Sequence, residues 1–204
     1  NVYDFDNTIY EGESGMDIFV FFLKKDPLGV AKYSKKFMEG FVKYKMGKIK
    51  ISEVKGVYGN MVKEYLSKLD NIEGYIEDFW DKNETKIKPF YQKTRKDDDI
   101  IVSACPEEML IVALNRIGIG RDRMIGTQLD LHTGEIGRVN YKEEKAKAFK
   151  ERFPDGEIDD FYTDSMSDEP LMKLAKRVFL VDGEKITEFN YKEYVENREN
   201  EKKQ

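Results

Sequence analysis

One cysteine and one histidine are all this sequence offers for soft or borderline metal chemistry. A lone Cys105 excludes a disulfide framework and any cysteine-rich zinc site. With His132 as the only imidazole, a histidine metal centre or a Ser-His-Asp triad is equally hard to assemble. Long apolar runs are missing as well. None is longer than Ile18 to Leu23, far short of the roughly 18 residues that suggest a membrane-spanning helix. No signal peptide is visible. Asn1 is not a natural start, so at least an initiator methionine is expected ahead of it, and a cytoplasmic setting is the default expectation. An excess of basic charge is absent too: 35 Lys and Arg against 40 Asp and Glu leave a net charge of −5. Such a chain has no global attraction to nucleic acid or to an anionic membrane, and neither is expected as a partner.

What the 204 residues do hold is apolar and aromatic mass, with 40% hydrophobic residues, 13 Phe and 12 Tyr. That excludes disorder of the whole chain. A chain of this length is one domain, or one domain with a large insertion, and buries roughly 70% of its unfolded surface.

Two textures divide it. Residues 2–6 read as a short strand ending in acids. Residues 14–88 then carry 3.6-residue periodicity and no β-rich run, which predicts helices over about 16–25, 30–46, 53–69 and 72–82. Breaks fall at Asp26-Pro27, at Gly47 to Ser52 and at Asp70-Asn71. After Pro89 strands and helices alternate. Ile100 to Ala104 is a β-branched run that reads as a buried strand, followed by a helix from Pro106 to near Gly118. Met124 to Leu131 reads as a strand with a short partner over 135–139, and 143–153 as a helix. Residues 161–163 then form a strand, 168–176 a helix and 178–181 the last strand. Residues 191–204 are densely charged and are expected to fray or to form an isolated helix. Alternation of this kind implies an α/β fold, a Rossmann-like parallel sheet core with an all-helical cap inserted after the first strand. The domains are then a catalytic core of 1–13 and 89–190, a cap of 14–88 and a charged tail of 191–204.

In parallel sheets ligands bind beyond the carboxyl ends of the strands. The residues expected there are Asp4 and Asp6, placed on one side by strand alternation, then Ser103, Thr163-Asp164 and Asp168, with Lys145 at the start of a helix. Three carboxylates meeting in one place are tolerable only beside a cation, and hard oxygen ligands suit Mg2+. Each residue also has a plainer reading. Asp-x-Asp pairs are often turn residues, Ser103 and Asp168 could be helix caps, and Lys145 has rivals in Lys142 and Lys147 on a solvated face. Their joint occurrence in chain order favours a site. Cys105 has no nearby histidine to activate it and reads as a small buried thiol; His132 reads as a surface turn residue.

Four segments resemble the haloacid dehalogenase superfamily, in its phosphoserine phosphatase-like branch. They are Asp4-Phe5-Asp6-Asn7-Thr8, Val102-Ser103-Ala104, Lys142-Glu143-Glu144-Lys145, and Thr163-Asp164-Ser165 through Asp168-Glu169-Pro170-Leu171. In the third, Lys142 stands where the family usually has glycine. The resemblance implies a magnesium-dependent phosphatase acting on a small phosphorylated metabolite, as a monomer or homodimer. It further implies that Asp4 attacks phosphorus to form an aspartyl-phosphate while Asp6 serves as acid and base. Mg2+ would be held by Asp4, the Asp6 carbonyl and Asp164, with the phosphoryl oxygens on Ser103, Ala104 and Lys145 and with Asp168 orienting Lys145 or metal-bound water. A halide leaving group needs no proton, so the second aspartate separates a phosphatase from a dehalogenase. Glu13 matches the position that binds a substrate amine in phosphoserine phosphatases, although a solvent-facing acid or helix cap fits it equally. No arginine precedes Arg95 to receive a substrate carboxylate, which leaves open an amine-bearing ester without one. The cap aromatics Phe19, Phe22, Tyr33, Tyr58 and Trp80 are more often core than pocket. A phosphotransferase or mutase on the same scaffold, and a receiver-like phospho-acceptor, are the alternatives.

Overall fold

The shortest strand holds the centre of the sheet. β1 (Val2–Tyr3) lies between β2 (Ile100–Pro106) and β4 (Ile158–Thr163), parallel to both, with Val2 opposite Ile100 and Phe161. β3 (Met124–Thr127) flanks β2, and β5 (Ala175–Asp182) flanks β4. β6 (Lys185–Phe189) closes the edge antiparallel to β5, giving the order β3-β2-β1-β4-β5-β6. The computed structural model describes residues 1–201. This is the parallel, Rossmann-like sheet expected from the alternation of strands and helices.

Side chains alternate across the sheet because strand periodicity is two. Val2, Val102 and Ile125 face one layer, where α8 (Glu143–Arg152) and α9 (Glu169–Met172) supply Ala148, Phe149, Leu171 and Met172. Tyr3, Ile101 and Met124 face the other, where α7 (Glu107–Arg116) supplies Leu110 and Leu114. On that face Tyr3 stacks on Tyr162 at 4.4 Å, and Tyr162 on Phe179 at 4.8 Å, an aromatic row tying β1, β4 and β5.

The insertion starts and ends side by side. Glu11 N–H bonds Lys86 O at 2.8 Å, and Lys88 N–H bonds Ile9 O at 2.7 Å. Between these lie α1 (Ser14–Lys25), α2 (Pro27–Lys45), α3 (Ile51–Glu53), α4 (Gly59–Leu66) and α5 (Ile72–Asn83). Asp26 and Asn71 cap α2 and α5 by accepting the Gly29 and Gly74 N–H groups. α5 is not a peripheral cap element. Phe79 and Trp80 are fully buried with Phe5, Tyr10 and Leu110, and the Trp80 indole donates to Met109 O of α7 at 2.8 Å. α5 therefore ties the insertion to the core of the sheet, together with Phe21 of α1 and Leu66 of α4.

Several elements differ from the sequence reading. The helix expected over 53–69 is broken into α3, a π-helical turn Val54–Tyr58 and α4. A short α6 (Pro89–Thr94), started by its proline, follows the insertion. The expected strand pair 124–131 and 135–139 narrows to β3 plus a hydrogen-bonded loop with one bridge, Leu129 to Ile136, because Asp130 folds an Asx turn onto the His132 and Thr133 amides. The helix expected to 176 stops at Met172. Ala175 pairs with Ile158, so sheet pairing overrides a weak helical preference. β6 lacked a strong run, although Asp182-Gly183, with Gly183 at φ 57°, is a hairpin signal.

The tail is neither frayed nor isolated over its described part. α10 (Tyr191–Glu201) docks through Glu169, whose carboxylate accepts from Arg198 at 2.7 and 3.0 Å and from the Tyr191 hydroxyl at 3.0 Å; residues 202–204 lie outside the described residues. The Arg198 hydrogen bonds hold the Glu169 carboxyl down at about 2, against an ordinary value of 4.5. A depressed carboxyl contributes stability that is complete above its unfolded value and lost as pH falls through the folded one. Because both side chains are partly exposed, the pair contributes about 1 kcal/mol or less. Amide-exchange protection of α10 should thus decline between pH 4.5 and 2, and Glu169→Gln should produce the same loss at neutral pH. Unchanged protection in Glu169→Gln would show that α10 is held by other contacts.

Candidate active site

Strand order reverses beside β1, between β1 and β4, and the residues that follow these two strands meet there. Asp4 continues the ladder, donating its N–H to Tyr162 O at 2.9 Å. The chain then leaves the sheet. Thr8, Ile9 and Tyr10 all donate to Phe5 O, so the strand expected to reach Asp6 ends early and the loop winds around the buried Phe5. Asn7 takes φ 56°, a left-handed conformation that asparagine tolerates better than most residues. Its carbonyl is held by the buried Lys88 ammonium, which also reaches Gly183 O at 2.7 Å. Lys88 pins this loop to the β5–β6 turn. The sequence reading missed it, because a lysine before a proline carries no pattern.

Asp4, Asp6, Glu13, Lys145 and Asp164 line one polar cavity of about 500 Å3. Lys145, fully buried on α8, lies 2.9 Å from Asp4 and 2.8 Å from Asp168. Asp168 is fixed from behind by the Thr163 hydroxyl at 2.9 Å. Burial pushes the Asp4 carboxyl up, Lys145 opposes this, and Asp168 and Asp164 push it further. Burial works against the Lys145 charge, yet Asp168 and Asp4 together hold it above the usual lysine range. Burial also raises Asp6, to about 6, although its carboxylate accepts the Ser14 N–H at the start of α1 at 2.9 Å.

The metal ligands implied by the resemblance are two carboxylates, Asp4 and Asp164, together with the Asp6 carbonyl. Among the described residues no three His, Cys, Asp or Glu side chains are arranged to hold a metal ion, and the Asp6 carboxylate is turned to the Ser14 amide. The remaining donors do suit a hard cation. Asp4 and Asp164 carry carboxylates into the same cavity, and Asp164 has no ion-pair partner among the described residues. Asp4 and Asp168 share the buried ammonium of Lys145 while Asp164 is left unpaired among the described residues, an excess of negative charge that a divalent ion with oxygen ligands would offset.

Ser103 and Ala104 do not line this cavity. Ser103 is 1% exposed, with its Oγ accepting the Cys105 N–H at 3.0 Å. Asn140, also missed from sequence, donates to Ser103 O and Ile125 O and so joins β2 to β3 near their carboxyl ends. Glu13 is occupied: its carboxylate accepts from Asn7 and pairs with Lys45 at the end of α2. Cys105 is buried with its thiol pushed up by burial, and His132 is exposed beside Glu73, as read.

Lys142, where glycine was expected, sits at φ 52° and ψ −121°. These are the angles of the first central position of a type II′ turn, closed here by Glu144 N–H to Tyr141 O at 3.2 Å, and glycine normally takes that position. The lysine side chain reaches across to the cap, bonding Gly47 O at 2.7 Å, while the Tyr141 hydroxyl bonds Tyr44 O at 3.2 Å.

The profile of the haloacid dehalogenase-like hydrolases matches residues 2–173. Among solved structures, a protein of unknown function from Bordetella pertussis Tohama I is 18% identical, with a TM-score of 0.71 over 87% of this chain and 86% of that one. A phosphoserine phosphohydrolase-like protein from Francisella tularensis subsp. tularensis SCHU S4 is also 18% identical, with a TM-score of 0.55 over 87% and 84%. A HAD family hydrolase from Salmonella enterica subsp. enterica serovar Typhi is 14% identical, with a TM-score of 0.56 over 85% of this chain and 59% of that one. At these identities the likeness is one of fold. The search of curated proteins returns no match.

Two predictions follow from the buried charges and the strained turn. Lys145→Met, melted in the presence of a chelator, should lose about 3–5 kcal/mol, since it leaves Asp4 and Asp168 buried without a partner; a loss below about 1 kcal/mol would show that the site is wetter than its burial implies. Lys142→Gly relieves about 1–3 kcal/mol of backbone strain but gives up an exposed link worth at most about 1 and about 0.4–1 in unfolded-state entropy. It should therefore lose no more than about 1 kcal/mol and gain stability if the strain lies in the upper part of that range, while amide exchange at 43–47 accelerates.

Proposed function

This chain belongs to the haloacid dehalogenase-like hydrolases, and on that premise we propose that it is a phosphatase, a magnesium-dependent phosphomonoesterase that works through an aspartyl-phosphate. The observation that carries the reading is the meeting of Asp4, Asp164 and Lys145 in one cavity where the strand order reverses, with Asp6 beside them. Asp4 is the nucleophile. One of its oxygens bonds to phosphorus as the bond from phosphorus to the ester oxygen breaks. Asp6 gives its proton to the departing alcohol, then takes one from the water that attacks phosphorus and releases phosphate from Asp4. Lys145 favours the ionised form of Asp4 and offers its remaining donor capacity to a phosphoryl oxygen. Asp168 and Thr163 fix where that ammonium stands.

Mg2+ would be held by Asp4, the backbone carbonyl of Asp6 and Asp164, and supplies positive charge against the phosphoryl group. Ser103, with its hydroxyl turned onto the Cys105 amide, contributes to phosphate binding only after it rotates away. The need for a proton on the leaving group gives Asp6 a purpose in ester hydrolysis that it would lack in halide displacement. Glu13 Oε1 already accepts from Asn7 and Lys45, so an amine on the substrate would share that carboxylate with a cation in place.

The test is hydrolysis of p-nitrophenyl phosphate. Turnover should require Mg2+, stop with a chelator and fall at least about a hundredfold in Asp4→Asn. Asp6→Asn should hurt alkyl phosphates more than the p-nitrophenyl ester, whose leaving group needs little protonation; general acid catalysis is worth about 10^2–10^4 where it matters. No turnover across a broad panel of phosphomonoesters, or full activity in Asp4→Asn, would overturn the reading.

A further inference from the structure

A second cavity, of about 280 Å3, adjoins the polar one, and Asp6, Glu13, Tyr44 and Tyr141 line both. Its character is opposite. Phe37 and Phe41 of α2, Tyr58 of the π-helical turn, Met61 of α4, and Ile136 and Val139 of the loop after β3 form its walls. No lysine, arginine or histidine among the described residues lines it. The cap is shaped to keep this space. Gly40 lets the Tyr58 ring lie against α2, where a β-carbon would come within 2.7 Å of it. The π-helical turn puts Val54 and Tyr58 into the wall, and such turns recur at functional sites. Phe37, Phe41, Tyr58, Met61 and Ile136 stand half-exposed around this gap, with Val139 buried behind them.

We infer that this cavity seats the leaving alcohol, and that the substrate is the phosphomonoester of an uncharged, apolar alcohol, alkyl or aryl. The inference rests on the phosphatase reading above. The alcohol must depart on the side of the residue that protonates it, and Asp6 stands at the junction of the two cavities. A phosphorylated amino acid is poorly served: no cation among the described residues faces a carboxylate in the apolar cavity, and its amine would compete with Lys45 for Glu13. An apolar group finds a surface that gains by being covered.

The experiment compares ethyl, butyl and hexyl phosphate with phosphoserine under Mg2+. The alkyl esters share a leaving group of nearly constant basicity, so differences report burial. The ratio kcat/KM should rise by about two- to fourfold per methylene, with phosphoserine no better than ethyl phosphate. Met61→Glu places a charge in the apolar wall and should flatten the ratio of hexyl to ethyl; read within each variant, that ratio cancels any loss of folded protein. Calorimetric binding of ethylphosphonate and hexylphosphonate adds a readout free of turnover, with tighter binding and a more negative heat-capacity change for the longer chain. A ratio near one, or phosphoserine preferred tenfold, overturns the inference while leaving the phosphatase standing. Absence of all hydrolysis alongside tight hexylphosphonate binding rejects the phosphatase and keeps the apolar cavity.

Discussion

The buried Lys145 ammonium governs the centre of this molecule. Lys145 stands between Asp4 and Asp168, all three nearly or fully removed from water. Burying charge is costly unless it is paired and hydrogen-bonded, and removing one partner from such a cluster costs more than the cluster contributes. The arrangement therefore constrains three separate parts of the chain at once. β1 must deliver Asp4, the start of α8 must deliver Lys145, and the turn after β4 must bring Asp168 back with the Thr163 hydroxyl behind it. The balance is still short of positive charge, because Asp164 opens into the same cavity. A protein that needed this cluster for stability alone would be better served by apolar side chains of similar size. The surplus acid is intelligible if a cation and a phosphoryl group come and go beside it.

The insertion answers a different constraint. Where it touches the catalytic elements its chemistry is divided. Lys45, Tyr44 and Gly47, at the end of α2, make polar links to Glu13, Tyr141 and Lys142, while the neighbouring faces of α2 and α4 present aromatic and aliphatic groups around a gap. Asp6 lies on the dividing line. That position suits a group which must work on an anion on one side and an alcohol on the other. The same division explains why a loosely tied cap is useful, since a closed apolar wall must open to admit what it covers.

Much of the site was legible in the sequence because its chemistry needs particular residue types at strand ends. Asp4, Asp6, Asp164 and Lys145 could be named from their spacing, and all four line the cavity. Asp168 could be placed nearby, although its hold on Lys145 depends on Thr163 folding a turn that no motif announces. Other parts were hidden for physical reasons. Periodicity in α2 shows that one face is covered without showing by what. Val30 is in the core while Phe37 and Phe41, on the same stripe, face a cavity. That α5 is tied to the core was also hidden, because it has the same helical texture as α1 and α2 and only its contact with α7 sets it apart. Side-chain direction was illegible at Ser103 and Asp6, where a hydroxyl and a carboxylate each turned to a nearby amide. Lys142 is the instructive case: its departure from glycine was visible, and the positive φ explains why glycine is the usual occupant.

Magnitudes then decide which part of the insertion can move. Trp80 and Phe79 are fully buried, and freeing α5 would expose both rings and break the indole bond to Met109 O; burying a side chain of that size stabilises by roughly 1.5–3 kcal/mol, and there are two. The links at the end of α2 are of another order. An ion pair with a partly exposed lysine and single hydrogen bonds to carbonyls contribute at most about 1 kcal/mol each. Opening the seam between α2 and the catalytic loops therefore costs less than peeling away α5, even with all three links broken together, because the apolar walls beside them are already apart. The strain stored at Lys142 works in the same direction, since a backbone held at φ 52° by the fold returns part of its cost whenever the turn is allowed to relax. α5 is thus the firmly held part of the insertion, with Phe21 of α1 and Leu66 of α4 in the same core as Phe79 and Trp80, and the links at the end of α2 are its weaker attachment.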